Sequence, residues 1–81
     1  MENRARLLIL DILLTSELSV DSISFRLALP QAVVSQHLKI LSHAELVRCH
    51  QKGRQRIYGV HRKHILLIGL IFELMLKKGI R

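Results

Sequence analysis

A mainly helical fold with one β-hairpin is predicted by three observations. The apolar residues are aliphatic rather than aromatic: 49% of the 81 residues are hydrophobic, with two Phe, one Tyr and no Trp. Between residues 30 and 43 they keep helical spacing, Val34, Leu38 and Leu41 recurring at i, i+4 and i+7. Between residues 46 and 60 the spacing changes to alternation on either side of Gly53-Arg54, the pattern of two strands around a tight turn. The length sets a single domain, residues 1–81.

The first helix runs from Ala5 to Leu14. Leu7, Leu8, Ile9, Leu10, Ile12, Leu13 and Leu14 make it apolar on nearly every side, which places it centrally in the core. Thr15-Ser16-Glu17-Leu18-Ser19 interrupts the run. Ser19 supplies an N-cap acceptor for a second helix from Val20 to about Leu27, in which Val20, Ile23 and Leu27 share one face. Ala28-Leu29-Pro30 is a turn, since proline fits a first helical position and disfavours helix in the residue before it. The third helix spans Pro30 to His43. Val34, Leu38 and Leu41 point inward, and Gln31, Ala32, Ser35, Gln36 and Lys39 occupy the opposite side. Two helices joined by a short turn, the second with a Ser/Gln/Lys face, form a helix-turn-helix.

Strands follow from Leu46 to Lys52 and from Gln55 to Val60. Val47 and Cys49 alternate with Arg48 and His50, so a half-buried ribbon is expected with Cys49 turned inward as a small apolar residue, a redox switch among basic neighbours being the open alternative. Tyr58 and Val60 pack from the second strand, and the Gly53 turn carries Lys52, Arg54 and Arg56 at its tip. A last helix runs from Ile65 to Lys78 and ends in Lys77-Lys78-Gly79, a basic final turn with a glycine stop. It is apolar on most of its circumference. A chain this short covers one such face with its own core, so Ile65, Ile68, Phe72, Met75 and Leu76 are expected to form a homodimer interface.

The formal charge is +7, from thirteen Lys or Arg against six Asp or Glu. From Leu46 to His64 the charged residues are Arg48, Lys52, Arg54, Arg56, Arg62 and Lys63, with no acid among them. That is the footprint of a polyanion partner, where a merely solvated face is the plainer alternative. The single cysteine makes no internal disulfide and gives no sign of an oxidising compartment. Asp11 interrupts the first apolar run and no cleavage site follows it. The run Ile65 to Phe72 stops at Glu73, short of the roughly 20 residues of a membrane span. A cytoplasmic location without a membrane partner is the expectation. Enzyme classes are disfavoured. The chain has no glycine-rich phosphate loop, no strand-serine elbow and no cluster of acids with histidine, and neither catalytic residues nor a cofactor are expected.

A helix of this size beside a basic hairpin suits double-stranded DNA. Gln31, Ser35, Gln36 and Lys39 have the chemistry for base edges: glutamine pairs with adenine, serine serves either strand, and lysine reaches guanine or a phosphate. Ser35 as a phosphate contact and Gln31 as a capping residue remain open. His37 falls near the packed side and reads as a half-buried structural histidine. Lys52, Arg54 and Arg56 are placed to touch phosphates or enter the minor groove, and Arg62 and Lys63 to add phosphate contacts at a helix start. The competing class is a winged-helix module that binds protein and lacks specific DNA binding.

The order helix, helix, helix, hairpin, helix looks like a winged helix-turn-helix. More narrowly, residues Val34-Ser35-Gln36-His37-Leu38-Lys39-Ile40-Leu41, then Ala44-Glu45-Leu46-Val47-Arg48, then Gly53-Arg54-Gln55-Arg56-Ile57-Tyr58 resemble the ArsR/SmtB-type family of bacterial repressors. Arg6-Leu7-Leu8-Ile9-Leu10 and Glu17-Leu18-Ser19-Val20 fit the same family. The resemblance implies a homodimer that binds an operator with dyad symmetry, with a wing at the hairpin and a dimerisation helix at the end, and that releases DNA when an effector is sensed. Which effector is not legible. The chain departs from the family in two places. Members usually carry a further helix ahead of the region matching Arg6 to Leu10, where five residues stand here. The cysteines of the arsenic and cadmium sensors are replaced by Ser19 and Asp21. Of the zinc-sensor ligands only His64 is matched, with Arg62, Met75 and Lys78 in the other places. His61 and His64 are too few for a closed four-coordinate site, so no metal is expected.

Overall fold

The computed structural model describes residues 2–79, with the side chains of residues 4–77 placed. The order is α1 (Glu2–Thr15), β1 (Leu18–Ser19), α2 (Val20–Leu27), α3 (Gln31–His43), β2 (Val47–Lys52), β3 (Gln55–Val60) and α4 (Ile65–Gly79), with one 3₁₀ turn at Arg62–His64 ahead of α4. The side chain of Lys78 lies outside those described, and α4 runs through Gly79, one residue past the end expected at Lys78.

Ile9, Leu10 and Leu13 of α1, Ile23 of α2 and Val34, Leu38 and Leu41 of α3 bury against one another, with Val47, Val60 and Ile68 closing the cluster. Burying each such side chain contributes about 1.5–3 kcal/mol. α1 is less enclosed than its composition suggests. Leu7, Ile12 and Leu14 are half-buried and Leu8 is exposed, because the other helices cover only one side of it.

The caps follow the residues. Ser19 Oγ accepts from Ser22 N at 3.2 Å and starts α2. α2 ends on Ala28 in the left-handed region (φ 55°), with Ala28 N and Leu29 N both donating to Ser24 O. Ser24 Oγ returns a hydrogen bond to Leu29 O. Pro30, extended at φ −60° and ψ 145°, then enters α3. α3 ends in the same manner: Leu46 N donates to Leu41 O and Glu45 N to Ser42 O, each at 2.9 Å, around Glu45 at φ 61°.

The sheet has three antiparallel strands in the order β1-β3-β2. β2 and β3 form the hairpin, in register from Val47↔Val60 to Lys52↔Gln55 around Gly53 at φ +63°. The added strand β1, which pairs Leu18 with Tyr58 and Ser19 with Ile57, goes beyond the two strands expected from the sequence. Two residues are too few to show alternation. Only the base of the hairpin touches the core. Val47, Gly59 and Val60 are buried, Ile57 and Tyr58 half-buried, and the rest of β2 is exposed. Cys49 is therefore exposed, against the expectation that it turns inward. It does share the strand face of Val47, but the hairpin has passed the edge of the helices by that point.

Candidate nucleic-acid interface

The outer face of α3 is set by its inner one. With Val34, His37, Leu38 and Leu41 buried, the 3.6-residue period leaves Gln31, Ala32, Ser35, Gln36 and Lys39 exposed. A groove of about 430 Å³ runs along Ala32, Ser35, Gln36, Lys39 and Ile40. Pro30, at the N-cap, makes no side-chain capping bond, and Gln31 is the first residue of α3.

His37 is 5% exposed and its Nδ1 accepts from Arg6 Nε at 3.2 Å. The histidine thus ties α3 to α1. Arg6, Val33, Gln36, His37 and Ile40 line a small cleft of about 280 Å³ behind the exposed face.

Lys52, Arg54 and Arg56 are exposed on the hairpin, Arg54 in its turn. The fold brings two acids toward the hairpin that are absent from its own stretch of chain. Asp21 lines a cleft of about 200 Å³ with Arg54 and Arg56. Glu17 Oε1 stands 3.9 Å from His50 Nε2, with both side chains about half exposed. Arg62 and Lys63 are exposed in the 3₁₀ turn before α4.

Between α3 and the hairpin lies a larger cleft of about 630 Å³. Ser35, Lys39 and Ser42 line it from one side and Cys49, Arg56 and Tyr58 from the other. The ionisation of Tyr58 is pushed above its ordinary 10.0 by burial, reinforced by the neighbouring Cys49 thiol and opposed by the Arg56 guanidinium. The sequence marks Tyr58 only as a packing residue. Tyr58 lines this cleft beside Cys49, its partner in the ladder.

The last helix divides its apolar residues differently from the expectation. Ile68 is 5% exposed and Phe72 packs on the same cluster, so these two belong to the chain's own core. Ile65, Met75 and Leu76 are exposed. The outward side is built instead from Leu66 (89% exposed), Leu67, Leu70, Ile71 and Leu74. The outer ends of α1 and α4 also frame a groove of about 490 Å³ between Leu7, Leu8 and Phe72, Met75, Leu76, edged by Arg4 and Asp11.

His61 and His64 lie edge to face with ring centroids 5.7 Å apart, and His61 Nδ1 accepts from Lys63 N. Ser19 is buried and its hydroxyl caps α2. Among the described residues no three His, Cys, Asp or Glu side chains are grouped to hold a metal ion. No helix among them is long and apolar enough to cross a membrane.

This geometry has close parallels. Residues 3–48 match the family described as "Bacterial regulatory protein, arsR family". Over 58 residues the chain is 43% identical to the transcriptional activator HlyU of Vibrio cholerae, a stretch covering 72% of this chain and 54% of that protein. The chain thus spans about half the length of the curated relative it matches. The homodimeric winged helix-turn-helix DNA-binding domain of Mb0332 from Mycobacterium bovis, a possible ArsR-family transcriptional regulator, superposes with a TM-score of 0.87 at 25% identity, covering 94% of this chain and 71% of that one. Reduced HlyU from Vibrio cholerae superposes with a TM-score of 0.76 at 37% identity, covering 86% and 75%. With its helix-turn-helix, its cationic wing and this match over residues 3–48, the chain belongs to the arsR family of bacterial regulatory proteins, DNA-binding regulators of transcription rather than enzymes.

Proposed function

We propose that the chain acts as a homodimeric, sequence-specific repressor that reads an inverted repeat. The observation that carries this reading is the shared cleft: Ser35 and Lys39 of α3 line it together with Arg56 of the hairpin. The polar face of the helix and the cationic wing are therefore presented to one ligand. Gln31 and Gln36 read base edges in the major groove, and Ser35 and Lys39 stand beside them for bases or phosphates. Lys52, Arg54 and Arg56 hold the adjacent backbone or minor groove, with Arg62 and Lys63 as further phosphate contacts.

The second subunit is proposed from the unpaired side of α4. Leu66, Leu70 and Leu74 recur at i, i+4 and i+8, with Leu67 and Ile71 beside them, and all five are exposed. Ile65, Met75 and Leu76 flank that side, while Ile68 and Phe72 support it from within. A second copy laid on it buries apolar surface twice over, and the relative from Mycobacterium bovis is a homodimer. Two recognition helices then address half-sites about 34 Å apart. A dimer seated over a promoter excludes polymerase, hence repression. The Vibrio cholerae relative is named an activator. A promoter fusion assayed with and without the chain separates the two modes, with lower expression expected when it is present.

Selection from random genomic fragments followed by sequencing should recover an inverted repeat. Uniform affinity for all fragments would leave an electrostatic binder and remove the repressor reading. On the recovered site, Gln36→Ala should reduce preference over unrelated DNA. Replacing Arg54 and Arg56 should weaken both duplexes alike and lower the salt slope by about 0.9 for each phosphate no longer neutralised. A hairpin variant with full affinity and slope would favour the protein-binding module instead.

A further inference from the structure

The cleft between α3 and the hairpin has more chemistry than a gap between two contact surfaces requires. Lys39 reaches it from the helix and Arg56 from β3. Ser35, Ser42 and Tyr58 add hydroxyl-bearing side chains from three separate backbone positions, Val20 and His43 complete the lining with Cys49, and among the described residues no acid lines the cleft. A phosphodiester oxygen is acceptor-only, so the group it fits is a set of converging donors with net positive charge. The volume of about 630 Å³ leaves room for more than the phosphate alone. The position matters as well. DNA that holds α3 in its major groove and the hairpin on the neighbouring backbone must pass the space between them.

We propose that this cleft is the seat of one DNA backbone phosphate, shared by Lys39 and Arg56 and hydrogen-bonded by the hydroxyls of Ser35, Ser42 and Tyr58. The assignment rests on the DNA-binding reading above. It turns Lys39 from a base-reading residue into a positioning one. It also gives Tyr58 a role beyond packing, as one of the hydroxyl-bearing side chains that line the cleft. Seating the phosphate fixes how deep α3 sits in the groove, because Lys39 lies four residues beyond Ser35 on the same helix face.

Cys49 is exposed on the wall of this cleft and is the one cysteine of the chain, so it serves as a chemical reporter. The experiment follows its alkylation by neutral iodoacetamide while a fluorescent mixed-sequence duplex is titrated and its anisotropy recorded in the same sample. Alkylation should slow in proportion to the bound fraction, and millimolar inorganic phosphate should leave the rate unchanged. Saturated anisotropy with Cys49 reacting at its free rate would overturn the seat while leaving DNA binding intact. No anisotropy change at all would remove the DNA reading and the seat with it. Protection by inorganic phosphate without protection by duplex would assign the cleft to a free anion and overturn the proposal. A second measurement needs no cysteine chemistry. If Lys39 and Arg56 share one phosphate, Lys39→Gln and Arg56→Gln should each lower the salt slope by less than 0.9, and the double variant by about 0.9. A drop of about 1.8 in the double variant would mean two separate phosphates and would also overturn the shared seat.

Discussion

Arg6 and His37 join the first helix to the recognition helix, through a hydrogen bond from Nε to Nδ1 of 3.2 Å. The ring is buried on the underside of α3, one residue from Gln36 on the exposed face. The tilt of the reading helix relative to α1 is thereby held by a charge-assisted contact as well as by packing. His37→Leu keeps much of the volume but removes the acceptor, and should cost about 1–3 kcal/mol in urea unfolding. Arg6→Ala in the same background should cost less than it does alone. Additive losses in this double-mutant cycle would show that the bond contributes nothing.

The two sides of α4 should respond differently to charge. Leu66→Glu with Leu70→Glu alters residues exposed on the outward face. This pair should give a folded monomer, visible as an unchanged helical circular dichroism spectrum and a halved mass in sedimentation. Ile68→Glu places a carboxylate in the core and should unfold the chain, because an isolated buried charge is not tolerated. A Leu66/Leu70 variant that still sedimented as a dimer would move the interface toward the α1–α4 groove.

Ala28 and Glu45 hold left-handed backbone at φ 55° and 61°, where a Cβ is disfavoured. Replacing either with glycine should raise stability by about 0.5–1 kcal/mol, the relief of the left-handed conformation exceeding the added freedom of the unfolded chain. Thermal unfolding of the single variants checks this. Neither residue belongs to the core cluster, so any change in midpoint reports the backbone.

Tyr58 is the sole tyrosine in a chain without tryptophan, so its ionisation can be followed directly by absorbance. Its midpoint should lie above 10.0 in the folded protein, raised chiefly by burial. Cys49→Ala should bring it down and Arg56→Gln should carry it further up, since those neighbours act in opposite senses. The sign for stability follows from the raised value. The fold favours the protonated phenol, so this contribution is complete below the ordinary pKa of 10.0 and is lost as pH rises through the folded value.

Much of the fold is legible in the sequence because its signals are local. Ser19 as a cap, Pro30 at a helix entry, the inward Val34-Leu38-Leu41 stripe and the Gly53 turn each depend on a few neighbouring residues, and each appears in place. The order of elements follows from them, and the family from the resemblance carried by residues 34–41, 44–48 and 53–58. What is not legible depends on distance in the chain. β1 exists only because residues 57 and 58 come to lie beside it. Cys49 follows an inward alternation whose core ends too soon to cover it. On α4 both faces are apolar, so periodicity does not say that Ile68 and Phe72 face home and Leu66 and Leu70 face out. The site shows the same division. The polar face of α3 is a matter of helical period, whereas the cleft with Tyr58 exists only once the hairpin folds back beside the helix.

Ser19 serves two structures at once, its hydroxyl starting α2 while its backbone lies beside Ile57 of the hairpin. The hairpin is thus fastened to the first helix of the helix-turn-helix rather than hanging from β2 alone. The base of the wing is consequently held against α2, while its tip projects beyond the core. In the proposed dimer, the distance between the two reading helices would then be set by how the protomers join along the exposed side of α4.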